Sequence, residues 1–248
     1  MRYDTRYRSS GSRFSGFFPA GVKWLLISNV ALFVLYFFAE RSDYGQYFRL
    51  FALVPRTVLQ GYIFQLFTYM FLHDPGGFGH ILFNMLTLWM FGADLERTWG
   101  TRRFLSYYMA CGVFAGICVV IASLIFGGLD TRTIGASGAI YGLLLAFGML
   151  YPDRTILFSF LFPIKAKYFV MILGAIAFLS SFNVNSKVSN IAHLGGMLFG
   201  YAYLKMRFAS VDFNFLGKQY QQWKLQRAKR KFQVYMRKHD SDREPRVH

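Results

Sequence analysis

The sequence predicts an all-α membrane protein: a bundle of six transmembrane helices with a large first outer loop partly embedded in the membrane. Three observations carry this. The chain of 248 residues is 54% hydrophobic and 20% aromatic, and its charged residues, 16% of the total, gather in blocks. Six mainly apolar stretches approach the roughly 17 to 25 residues that cross a hydrocarbon core. Finally, if the N-terminus is inside, only Arg41, Arg49, Arg56, Arg132 and Lys187 of the 28 basic residues fall on the outer side. Such a bias places both termini in the cytoplasm. The net charge of +16 is then an orientation signal plus a basic tail, and a nucleic-acid partner is not needed to explain it.

Residues 1–21 form a basic N-terminal segment that holds Arg2, Arg6, Arg8 and Arg13. The first span, Val22 to Ala39, is too long for a signal-peptide core and lacks a small-residue cleavage site, so it reads as a retained helix. Glu40 to Phe78 is too apolar for a solvated loop. Its Tyr44, Tyr47, Phe48, Leu50, Phe51, Leu53 and Val54 need burial and are expected in the membrane interface, against the bundle. The turn-rich end Phe71 to His80 delivers His73 and His80 to the second span, Gly79 to Leu95. The charged turn Asp94 to Arg103 is expected to hold structural ion pairs. In the third span, Phe104 to Phe126, Cys111 and Cys118 lie too far apart along one helix for a disulfide and read as core residues. Ser137 to Tyr151, Tyr168 to Phe182 and Asn190 to Phe208 complete the six. Between the fourth and fifth, Pro163, Lys165 and Lys167 mark Ile156 to Ile164 as a surface-lying loop.

Polar residues inside apolar spans are costly and are either internally paired or functional. Ser137 stands where the polar run Thr131-Arg132-Thr133 meets a chargeless helix, which predicts it as N-cap of that helix. A hydroxyl there lies beside unpaired N–H groups and the positive end of the helix dipole, a suitable place for a nucleophile. Gly-x-Ser-Gly alone also suits simple packing. His80 and Asn84 are four apart and share one helix face. His193 is the other intramembrane histidine. Gly138, Gly142 and Ala146 form one small-residue stripe, and Ala192, Gly196 and Gly200 another. Both begin one residue from a polar side chain, so stripes that face each other would bring Ser137 and His193 together. Spans two, four and six enter from the same side. His80, Asn84, Ser137 and His193 therefore share one layer near the outer face.

These residues resemble the rhomboid intramembrane serine proteases. The resemblance spans Val22 to Phe208 and rests on His80-x-x-x-Asn84, Gly135-x-Ser137-Gly138, and Ala192-His193-x-x-Gly196-x-x-x-Gly200. It implies a protease domain over residues 22–208 with Ser137 as nucleophile and His193 as general base, a dyad without an acid. It also implies an oxyanion hole built from His80, Asn84 and the Ser137 N–H, and Tyr141 packed on the imidazole. Gly135, Gly138, Gly142, Gly196 and Gly200 would support the site. The chain departs from the family in two places. A Pro-Gly-Gly insert lengthens the His73 to His80 interval and puts a role for His73 in question, and the tryptophan-arginine pair of the first outer loop is missing.

The implied substrates are transmembrane segments with helix-breaking or small residues near their outer ends, because an intact helix hides its carbonyls. Lateral entry past the fifth helix, which carries Phe169, Phe178 and Phe182, is the family's route. The alternative is a catalytically inactive relative that binds or chaperones transmembrane helices; retention of both Ser137 and His193 speaks against it. A transporter would show an internal repeat or broken helices. Neither a metal nor a cofactor is implied. The expected location is the bacterial inner membrane. Residues 209–248 form a basic tail with interleaved Tyr220, Trp223, Phe232 and Tyr235, expected to be an amphipathic helix on anionic lipid.

Overall fold

The computed structural model describes residues 18–158, 162–182 and 188–206. The basic N-terminal segment up to residue 17 and the tail from 207 lie outside them, so the amphipathic helix expected there is not described. Contacts divide the chain into two units, Met1–Ala202 and Tyr203–His248, and every residue expected in the polar layer belongs to the first.

The described residues are mostly helical. Helix α1 is Ala20–Ala39. Three short helices follow, α2 (Gly45–Arg49), α3 (Pro55–Leu59) and α4 (Gln65–Thr68), with a 3-10 turn at Tyr69–Phe71. A helical run from Phe78 to Trp99 comprises α5 (Phe78–Thr87), a π turn (Leu88–Gly92) and α6 (Ala93–Trp99). Then come α7 (Thr101–Phe126), α8 (Ser137–Leu150), α9 (Ala166–Ser180) and α10, residues 188–206. Within the described residues, each of the six apolar stretches lies on helical structure. Two of them, α1 and α7, are long and apolar enough to cross a membrane by length and composition; α8 and α9 are shorter apolar helices.

Helix α1 shows what such a helix packs against. Its buried Val22, Leu25, Asn29, Phe33 and Tyr36 recur every three or four residues, while Trp24, Ile27, Val34, Leu35 and Phe38 stay exposed. One face enters the bundle. The other is apolar and exposed among the described residues, which suits lipid rather than water. Its first turn is held by the buried Glu96, whose two carboxylate oxygens each accept a backbone N–H, from Gly21 and Val22, at 2.8 Å. These bonds occupy two of the orphan donors at a helix start, and the carboxylate meets the positive end of the dipole. The turn expected to carry ion pairs does so through Asp94, which pairs with Arg97 at 3.0 Å and Arg154 at 2.7 Å.

The segment between α1 and α5 packs by one side only. Leu53, Tyr69 and Met70 are buried, whereas Tyr44, Tyr47, Phe51, Ile63 and Phe67 are exposed. Its organising residue is the buried Gln65: its Oε1 accepts from Val54 N at 3.1 Å and Thr57 Oγ1 at 2.7 Å, and its Nε2 donates to Leu50 O at 2.9 Å.

Two expectations are corrected. The stretch from Ile156 to Ile164 is not a plain loop: β1 (Thr155–Phe158) and β2 (Phe162–Lys165) form an antiparallel hairpin with Ile156 opposite Ile164. Pro163 fits because a two-stranded ribbon leaves one edge of each strand unpaired, where a missing N–H costs nothing. Likewise, Ser137 is the first residue of α8 rather than its N-cap. That position falls to Ala136, with φ −74° and ψ −7°, and no side chain caps the helix.

Candidate active site

Helices α8 and α10 approach along the two small-residue stripes. A Cβ added at Gly196 would fall on the Gly138 carbonyl oxygen, and one at Gly142 would lie 2.6 Å from Cys111 Sγ and 3.2 Å from Gly196 O. Only glycine allows this separation of backbones. Tyr107 secures the same place by donating from its hydroxyl to Gly142 O at 2.8 Å.

This approach brings Ser137, at the start of α8, beside His193 of α10. Ser137 Oγ and His193 Nε2 are 2.8 Å apart, which explains why the hydroxyl does not cap its own helix: it is turned to the imidazole instead. Tyr141, one turn along α8, stacks on the His193 ring with centroids 4.1 Å apart and planes 3° from parallel, fixing the plane in which Nε2 points. No carboxylate meets Nδ1 among the described residues. Both residues are half-buried.

Gly135, two residues before the serine, has φ 117°, a conformation that favours glycine. Space demands glycine as well, because a Cβ here would lie 2.8 Å from His80 Cε1 and 3.8 Å from Asn84 Nδ2. The two α5 side chains therefore close over the turn that delivers Ser137. Ser137 is a first-turn residue, so its N–H has no partner within the helix. The Ser137 hydroxyl, the His193 imidazole, the Asn84 amide and the His80 ring thus lie around one turn of the backbone.

His73 adjoins this group. It is fully buried, its Nε2 lies 3.0 Å from Asn84 Nδ2, and its ring centroid is 5.3 Å from that of His80. Burial, with a smaller contribution from His80, pushes its pKa down to about 3. The ring is neutral at pH 7, so Nε2 accepts the hydrogen bond that Asn84 donates. The Pro-Gly-Gly stretch forms a turn in which Gly76 N donates to Asp74 Oδ1 at 2.9 Å and Gly77 N to Asp74 O at 3.4 Å.

The model of the rhomboid domain matches residues 60–210, well over half of the chain. The chain belongs to the rhomboid family. It is thereby an integral membrane protein of a family of intramembrane proteases. Among similar rhomboid proteins, rhomboid protease GluP of Bacillus subtilis is 38% identical over 144 residues, which are 58% of this chain and 26% of that protein. The putative rhomboid protease YdcA of the same organism is 36% identical over 144 residues, 58% of this chain and 67% of that one. The mitochondrial Rhomboid protein 1 of Saccharomyces cerevisiae is 33% identical over 132 residues, 51% of this chain and 37% of that protein. The aligned part is thus about a quarter of the length of GluP. Rhomboid relatives also include chloroplastic ones, so the family does not by itself specify which membrane holds this chain.

Proposed function

We propose that this rhomboid is an intramembrane serine protease that hydrolyses peptide bonds near the outer ends of transmembrane segments through a Ser137–His193 dyad. The observation that carries this is the 2.8 Å contact between Ser137 Oγ and His193 Nε2 at the start of a buried helix, with Tyr141 stacked under the imidazole. A packing serine has no reason to meet an oriented imidazole there.

In the first step the Ser137 hydroxyl gives its proton to His193 Nε2 while Oγ bonds to the scissile carbonyl carbon. Negative charge moves to the carbonyl oxygen, where the Ser137 N–H, Asn84 Nδ2 and His80 are the donors within reach of the turn. The C–N bond then breaks, and His193 hands its proton to the leaving amine, which leaves an ester on Ser137. Water gives a proton to His193 and attacks that ester. Collapse releases the carboxylic acid and returns the proton to Ser137. Tyr141 holds the imidazole plane throughout, replacing the orienting carboxylate of a triad.

The substrate must present an unpaired carbonyl, so helix-breaking or small residues at the outer end of its transmembrane segment suit the site. Six crossings with both termini in the cytoplasm, in a bacterial inner membrane, complete the reading. The Lys and Arg bias supports this arrangement, and the polar layer then lies at the outer face. Purified full-length protein in detergent should cleave a labelled transmembrane-segment substrate. Ser137→Ala and His193→Ala should each abolish cleavage without unfolding the bundle, since the two act as one unit. Cleavage retained by either variant would refute the dyad, and an inert wild type would favour a helix-binding role.

A further inference from the structure

Residues 127–136 deliver Ser137, and their backbone is unusually free. They leave α7 through Gly127 and Gly128, with φ 84° and 94°, and end at Gly135 with φ 117°, so external contacts must define their path. Those contacts come from the segment after α1. Leu53 and Thr133 exchange backbone hydrogen bonds at 3.0 and 2.9 Å, Arg56 N donates to Leu129 O at 2.9 Å, and Gly135 N donates to Tyr69 O at 2.9 Å.

Arg56 acts twice in this set. Besides its backbone bond, its guanidinium grips Asp130 bidentately, Nε to Oδ1 at 2.6 Å and Nη2 to Oδ2 at 2.8 Å, the geometry that gives an ion pair directional hold. Arg56 stands on a rigid base, because Gln65 ties Leu50, Val54 and Thr57 on either side of it. Beside the pair lies an open cavity of about 560 Å³, bordered by Arg56, Gly127, Gly128, Asp130 and Thr131. This open space leaves the delivering loop room to relax once Asp130 is released.

We propose that Arg56 and Asp130 form a positioning pair, which holds the loop before α8 so that Ser137 stays in line with His193; this rests on the proteolytic reading above. The pair touches neither substrate nor dyad. Both side chains are largely exposed, 52% for Arg56 and 73% for Asp130, and such pairs add little to global stability. Their effect therefore belongs in turnover, where a displacement of about 1 Å at the reacting groups can cost about a hundredfold.

The test uses the purified full chain in detergent with a labelled transmembrane-segment substrate, comparing wild type, Arg56→Ala, Asp130→Ala and the double variant. Each single variant should lower kcat about tenfold, with KM and the unfolding temperature unchanged, and the double variant should be no slower than the slower single one. Raising salt from about 0.1 M to about 1 M should slow the wild type towards the variants and leave the variants unaffected, because screening weakens exposed pairs. Wild-type kcat in the single variants, losses that multiply in the double variant, or a matching fall in unfolding temperature would overturn the pair's role alone. An inactive wild type would overturn the proteolytic reading and the pair's role with it.

Discussion

Asn84 carries two duties at once: it faces the turn before Ser137 and gives a hydrogen bond to His73. If its amide stabilises the oxyanion, Asn84→Ala lowers kcat about a hundred- to a thousandfold, the usual loss for one such donor. His73 acts through Asn84 by fixing its amide, so His73→Ala should reproduce much of that loss, and the double variant should be no slower than Asn84→Ala. Independent, multiplying losses would show that His73 does something else. That Ser137, His193, His80 and Asn84 would be brought together was legible in the sequence because each is a polar group that an apolar helix tolerates only with a partner or a task. The contact of His73 with Asn84 was not, because His73 lies outside the helices. Whether it reaches Asn84 depends on the path of the Asp74–Gly77 turn, which residue spacing does not reveal. The one-position difference at Ser137 has a related reason. Serine favours the N-cap, but here its oxygen bonds to another helix, and tertiary geometry overrides local preference.

Helices α8 and α10 depend on their stripes more than on any single side chain. Gly196→Leu would push its side chain into the Gly138 carbonyl, and overpacking a filled core typically costs about 1 to 3 kcal/mol. The helices can yield only by separating, which also parts Ser137 from His193. Loss of activity together with a lower unfolding temperature is expected, and wild-type values for both would refute the facing stripes. The stripes could be read from sequence because small residues at every fourth position have few other uses in an apolar helix. The β1–β2 hairpin could not. Apolar residues crowd Ile156–Ile164 too densely for a period of two to stand out, and Pro163 argues against strand unless an edge is free, which is a property of the ribbon and not of the segment.

The apolar faces that α1 and α9 turn away from the bundle, with Trp24, Leu35 and Phe38 on one and Met171, Ile176 and Leu179 on the other, fit a protein whose outer solvent is lipid. Within that apolar surround the fold gathers a serine hydroxyl, an oriented imidazole, an amide and two further histidines. On the proposed reading, this surround activates Ser137 through His193. Treating the purified chain with a fluorophosphonate, which bonds only to an activated serine, and locating the adduct by mass spectrometry tests that activation. A single phosphonyl group on Ser137 in the wild type, none in Ser137→Ala and almost none in His193→Ala is the predicted result. An unlabelled wild type, or equal labelling of wild type and His193→Ala, would contradict it.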